Sequence, residues 1–190
     1  MYNLVVFASG NGTTLQSIID AIKEKKLEAN ISLVVSNNPE AFALERAKKA
    51  KIPTYVIQEK DPEKMDEEIC NVLSKIDVNL IVLAGYLKLI GKNMLSKYTI
   101  INTHPSLLPK YGGKGMYGMN VHRAVIEAKE EYSGVTLHYV NSEYDRGPTI
   151  MQTRVKVMKD DTPEDLSSRV QNAEKIQLVE ALKSFVKNFS

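Results

Sequence analysis

The residues best suited to move a proton stand in one short stretch, "INTHPSLLPKY", residues 101–111. Asn102 carries an amide whose N–H donors can meet negative charge developing on an oxygen. His104 can give or take a proton near neutral pH. Two residues apart on an extended strand end, the two side chains point to the same side. Pro105 then turns the chain. An Asn and a His satisfied by backbone at a strand terminus is the competing reading, and residue types alone do not separate the two. A third group, Asp145, sits in the turn "SEYDRGP" and can return to the same sheet edge. A carboxylate beside an imidazole orients the ring and favours its protonated form, raising its pKa. Asp145 also reads as a plain turn former next to Gly147 and Pro148.

The second candidate is an anion cradle in "ASGNGTTLQ", residues 8–16. Gly10 and Gly12 allow a tight turn and close backbone approach. Thr13 and Thr14 add hydroxyls beside the free N–H groups and positive dipole end of a helix start. A glycine turn with a threonine cap is the alternative. The stretch lacks both the Gly-x-Gly-x-x-Gly spacing of dinucleotide folds and the lysine of a P-loop. Its place at the end of the first strand favours a ligand, because open α/β sheets bind there.

Other chemistries find less support. His104, His122 and His138 show no metal-ligand spacing, and no metal is expected. Cys70 falls on the apolar face of a helix, where it reads as core. Ser106 has no Gly-x-Ser-x-Gly elbow around it. His122 reads as a surface residue of a helix. His138 alternates with Leu137 and Tyr139 on a strand, facing either the site or solvent, and both are expected to be structural.

The elements that must position these groups alternate regularly. "NLVVFAS" reads as a buried strand, and "TTLQSIIDAIKEK" as a helix with Leu15, Ile18, Ile19 and Ile22 on one face. "ISLVVS" is a strand, "EAFALERAKKAK" a helix stopped by Ile52-Pro53, and "TYVI" a short strand. "EKMDEEICNVLSKI" is a helix with Met65, Ile69, Val72, Leu73 and Ile76 inward. "NLIVLAG" is the most apolar strand and is expected at the centre, since strands covered on both faces lose their alternation. "YTIINTH" follows as a fifth strand. This rhythm predicts a Rossmann-like, doubly wound, mostly parallel α/β sheet.

After Pro105 the pattern changes. "GGKGMYGMN", residues 112–120, has four glycines in nine residues and reads as a flexible loop. "VHRAVIEAKEE" is a helix. "SGVTLHYVN" and "TIMQTRVKVM" are alternating strands, antiparallel at the sheet edge. A long C-terminal helix opens at Thr162-Pro163, with Leu166, Val170, Ala173, Ile176 and Val179 as its core stripe. With no repeat or linker, residues 1–190 read as a single domain. Its first half, 1–100, is expected to bind phosphate, and its second, 101–190, to build the rest of the site.

Composition bounds the function classes. The 190 residues are 43% hydrophobic and 25% charged, with a net charge of +2; no basic block suggests nucleic acid. One cysteine forbids an internal disulfide and fits a reducing compartment. The start lacks a basic n-region, and no apolar run nears the roughly 20 residues that span a bilayer. A soluble cytoplasmic domain is expected, with no membrane partner.

Taken together, "SGNGTTLQSIIDA", "SNNPEAFALERAKKAKIPT", "LAGYLKLI", "INTHPSLLPKYGGKGMYG" and "GVTLHYVNSEYDRGPTIMQTRV" resemble the phosphoribosylglycinamide formyltransferases. The likeness runs nearly the whole chain in order. The Asn-x-His-Pro-Ser-Leu-Leu-Pro stretch and the later Asp are shared by the wider formyltransferase superfamily. The N-terminal glycine stretch points to the glycinamide enzymes. The resemblance implies that Gly12, Thr13, Thr14, Leu15 and Gln16 hold the ribotide phosphate, with Gln171 and Glu174 meeting the ribotide. It implies that Leu87, Lys88, Leu89 and Ile90 line a folate pteridine site, and that Asn102, His104 and Asp145 form the catalytic set.

The co-substrate implied is 10-formyltetrahydrofolate, the acceptor glycinamide ribonucleotide, and the protein a monomer or homodimer. Three features depart from the family. Leu-Lys-Leu-Ile replaces the common Met-Arg-Ile-Leu, and the glycine loop is longer than the usual Pro-Gly turn. An Arg before the third helix is missing, leaving Lys60 or Lys64 for the folate tail. Formyltetrahydrofolate hydrolase, a methionyl-tRNA formyltransferase and a non-catalytic binding module are the alternatives. The hydrolases carry an additional N-terminal domain and the tRNA enzymes a C-terminal one; this chain is expected to have neither.

Overall fold

The computed structural model describes residues 1–189. Among them, seven strands form one sheet in the order β3-β2-β1-β4-β5-β6-β7. The chain runs β1 (Tyr2–Phe7), α1 (Thr13–Lys23), β2 (Ala29–Ser36), α2 (Phe42–Lys49), β3 (Thr54–Val56), α3 (Pro62–Leu73) and β4 (Leu80–Leu83). It continues through α4 (Lys92–Lys97), β5 (Ile100–His104), α5 (Met119–Glu127), β6 (Tyr132–Tyr139), β7 (Thr149–Lys156) and α6 (Pro163–Phe189). The strands from β3 to β5 pair in parallel; β6 and β7 pair antiparallel.

β4 lies in the middle, as its unbroken apolar run requires. Leu80, Val82 and Ala84 pack on one face with Leu15 and Ile18 of α1 and Leu178 of α6. Ile81 and Leu83 pack on the other with Ile69 and Leu73 of α3 and Met94 of α4. Cys70 is buried in that second cluster. From β1 the chain winds outward to β3, then crosses back to β4. The crevice of this switch point opens at the C-terminal ends of β1 and β4, where such sheets bind ligands.

Three local expectations are corrected. The helix α4 was missed because six residues carry no readable period and its cap is tertiary. Asp66 of α3 accepts from the N–H groups of Asn93 (2.7 Å) and Met94 (3.1 Å). Ile76 lies beyond the end of α3 and is exposed. In α6, Ile176 is 68% exposed, whereas Gln177, Leu178, Ala181 and Leu182 are buried. Each step of three residues falls about 60° short of a full turn, so 170, 173, 176 drifts off the buried face that 170, 177, 178, 181 holds. The start of α6 is as expected: Thr162 Oγ1 accepts from the Asp165 N–H, and Asp165 Oδ2 from the Thr162 N–H.

Candidate active site

Strand register brings the proton-transfer groups together. Phe7 pairs with Leu83, Leu83 with Asn102, and Asn102 with His138, one row across four strands. Asn102 and His138 therefore share a side of the sheet, and Asn102 Nδ2 lies 3.1 Å from His138 Nε2. The β6–β7 turn returns Asp145 to the same place. Its Oδ2 is 3.4 Å from His104 Nδ1 and its Oδ1 is 3.6 Å from His138 Nε2. Asp145 is thus more than a turn former. It holds φ +56°, a left-handed conformation that Asp tolerates, and its Oδ2 accepts from the Gly113 N–H at 2.9 Å.

Carbonyl partners settle which ring atoms carry protons. His104 Nε2 donates to the Tyr111 carbonyl at 2.7 Å. Its Nδ1 faces Asp145 and has no carbonyl partner among the described residues. His138 Nδ1 donates to the Tyr139 carbonyl at 2.8 Å. With that N–H engaged, His138 Nε2 meets the Asn102 amide and pins it, leaving its other N–H for a ligand.

Burial pushes the His104 imidazole below its ordinary range; Asp145 and the Tyr111 carbonyl pull it upward without reversing the sign. That corrects the expectation of a raised pKa: His104 is only 4% exposed, and desolvation of the cation outweighs the carboxylate. Burial would raise the Asp145 carboxyl, but His138, His104 and the Gly113 N–H together hold it below the usual range. Asp145 Oδ2 thus faces the His104 ring at Nδ1.

The strand pattern left His138 open between site and solvent, and the helix pattern misplaced His122. His138 faces the site. His122, expected on a helix surface, is 2% exposed, lines the same cleft, and has no partner for Nδ1 among the described residues. Burial, helped by neighbouring His104, pushes its pKa down to about 4. The unfolded chain, titrating near 6.5, then binds more protons than the native state as pH falls from 6.5 to 4. Stability from this group is present above pH 6.5 and is lost over that window, by roughly 3 kcal/mol. We expect denaturant titrations at pH 7 and pH 4.5 to show a shallower loss in His122→Gln than in the parent. Equal slopes would contradict a buried neutral His122.

The anion loop occupies the other end of the cleft. Gly12 caps α1 with φ +71°, and a Cβ there would lie 2.7 Å from Ala43 Cα. No side chain caps the helix, and among the described residues no acceptor meets the N–H groups of Thr13, Thr14 and Leu15. Gln16 differs: its N–H bonds the Gly12 carbonyl, and its side chain contacts Asp20 and Arg46. The Leu15 side chain is wholly buried. Gly12, Thr13 and Thr14 line the cleft; Leu15 and Gln16 do not.

Glu174 and Gln171 of α6 reach the same end. Glu174 Oε1 accepts from Thr103 (2.6 Å) and Thr14 (3.1 Å), while burial pushes the carboxyl upward. Gln171 lies within 3.3 Å of Ser167 Oγ.

Leu87, Lys88, Leu89 and Ile90 line the opposite wall with Leu83, Tyr86 and Val140. The cleft encloses about 550 Å³, within the range of small-molecule sites. Ser9, not singled out by any motif, links the two ends. Its hydroxyl donates to Asn37 Oδ1 (2.6 Å) and accepts from the Leu87 N–H (3.0 Å). Lys60 and Lys64 lie outside the cleft lining; Lys88 and Lys114 are the lysines in it. The glycine loop is hydrogen-bonded within itself, Met116 N–H to Gly113 and Asn120 Nδ2 to Gly115, and α5 begins at Met119.

Asn102, His104 and Asp145 thus lie in a cleft between the free N–H groups at the start of α1 and an apolar wall, at the switch point of a doubly wound α/β sheet. The formyl transferase family model matches residues 2–182. The chain is 38% identical over 177 residues to phosphoribosylglycinamide formyltransferase of Escherichia coli, covering 90% of this chain and 81% of that protein. It is 39% identical to the chloroplastic phosphoribosylglycinamide formyltransferase of Arabidopsis thaliana, spanning 94% of this chain but only 63% of the plant protein's length.

Among solved structures, the Coxiella burnetii phosphoribosylglycinamide formyltransferase superposes with a TM-score of 0.90 at 40% identity, over 98% of this chain and 88% of that one. The chain belongs to the formyl transferase family, among its phosphoribosylglycinamide formyltransferases.

Proposed function

We propose that the protein transfers the formyl group of 10-formyltetrahydrofolate to the amine of N1-(5-phospho-D-ribosyl)glycinamide, giving the N-formyl product and tetrahydrofolate for purine synthesis. The observation that carries this reading is the meeting of Asn102, His104 and Asp145 between the anion loop and the apolar wall.

The residues fit both ligands. Free N–H groups at Thr13 and Thr14, with the helix dipole behind them, suit a phosphate. Glu174 Oε2 and Gln171 are left to take ribose hydroxyls. Leu87 and Leu89, about half exposed, and buried Ile90 offer apolar surface to a flat pteridine. When bound, the folate supplies a formyl carbon for the amine to attack, with negative charge growing on the formyl oxygen.

Each catalytic residue then has one task. The free Asn102 N–H stabilises that oxygen. His104 Nδ1 takes or returns the proton that moves between the two nitrogens. Asp145 holds the ring and stabilises it once protonated. His138, by fixing the Asn102 amide, is a positioning residue.

The test is a formyl-transfer assay with and without the ribotide. Tetrahydrofolate formed only in its presence supports the proposal; formate released without it indicates hydrolysis instead. For the phosphate end, Gly12→Val forces a branched side chain into a left-handed position against Ala43. We expect a ribotide KM raised about tenfold or more, a loss of at least ~1.4 kcal/mol, with the folate KM nearly unchanged. A folded variant with an unaltered ribotide KM would remove the loop from the phosphate site.

A further inference from the structure

Arg46, on α2, lies outside the cleft lining, yet it holds the anion loop from behind. Its Nε donates to the Asn11 carbonyl (2.8 Å), its Nη2 to Asn11 Oδ1 (3.1 Å) and its Nη1 to Gln16 Oε1 (3.1 Å). One planar guanidinium thus binds the loop residue before Gly12 and the residue that completes the first turn of α1. The group is itself fixed, stacked 4.9 Å over the Phe42 ring. The Ala43 N–H adds a bond to the Gly10 carbonyl at 3.1 Å.

These contacts have a consequence for the free donors. The first N–H groups of α1 have no intrahelical acceptor, and those of Thr13 and Thr14, which line the cleft, meet none among the described residues. By tying down Asn11 and Gln16 on either side of them, Arg46 removes from the loop freedom that a phosphate would otherwise have to freeze on binding.

We propose that Arg46 is a positioning residue for ribotide recognition, acting through Asn11 and Gln16 to present the α1 N–H groups in a binding-ready array. The inference rests on the assignment of that loop to the phosphate. Geometry, beyond charge, is what Arg46 contributes: lysine keeps the charge but cannot hold three acceptors in one plane.

The test compares Arg46→Lys and Arg46→Ala with the parent in steady-state formyl transfer, varying each substrate in turn, with thermal unfolding run alongside. We expect both variants to raise the ribotide KM about ten- to a hundredfold, as the loss of charge-assisted hydrogen bonds implies. Turnover at saturating ribotide and the folate KM should stay within about threefold. In a second readout, inorganic phosphate should slow hydrogen exchange at Thr13 and Thr14 in the parent and much less in the variants.

Full recovery by lysine would overturn the clamp in favour of simple charge attraction. A parallel fall in kcat and both affinities, or an unchanged ribotide KM, would overturn it too. Absence of ribotide-dependent turnover in the parent would instead refute the functional reading, and phosphate protection of the loop amides would still test the clamp.

Discussion

Replacing Asn102 by alanine is expected to lower turnover about 100- to 1,000-fold while changing both Michaelis constants only modestly. The amide sits in a row with Leu83 and His138, its Nδ2 held 3.1 Å from His138 Nε2. A donor fixed beforehand costs no reorganisation when charge appears on the oxygen, which is why its removal acts on the barrier more than on binding. His138→Ala should produce a smaller loss, since the amide then rotates but survives. Rapid-quench measurement of the chemical step in the two variants checks both. A large rise in the folate KM at constant turnover would recast Asn102 as a binding group.

The second large effect concerns His104 and Asp145. Alanine at either position should cut turnover by about 100- to 10,000-fold, the usual contribution of a positioned acid–base group. Asp145→Asn keeps the shape but removes the charge facing His104 Nδ1 at 3.4 Å. Burial already holds the His104 pKa below the ordinary value, and Asp145 is the largest upward influence on it. Without that carboxylate the pKa falls further. The limb of the pH–rate profile governed by His104 must therefore move to lower pH in Asp145→Asn, whichever direction the proton takes.

Much of this architecture was legible in the chain, for identifiable reasons. The central place of β4 follows from an apolar run that must be covered on both faces, and the sheet confirms it. The same-side placement of Asn102 and His104 follows from strand period. The Asp145–His104 contact did not follow, because it depends on how β6 and β7 fold back, which no local pattern encodes. His138 was within reach: an antiparallel partner for β5 that puts Leu137 in the core puts 138 on the Asn102 side. His122 was misread because it adjoins the buried stripe of Val121 and Val125 on the side that lines the cleft, where a polar residue type gives no sign of burial. Arg46 and Ser9 act through hydrogen bonds between segments far apart in sequence, and their residue types alone announce nothing.

A double-mutant cycle on His104 and Asp145, with pH–rate profiles of kcat for each member, tests the central claim most directly. Residues that handle one proton as a unit lose most of their effect with the first removal. The account therefore predicts that His104→Ala/Asp145→Asn is scarcely slower than the worse single variant. It also predicts that the His104-governed limb moves to lower pH in Asp145→Asn and is absent once His104 is gone. Losses that simply multiply, with an Asp145→Asn profile that superposes on the parent, would contradict it.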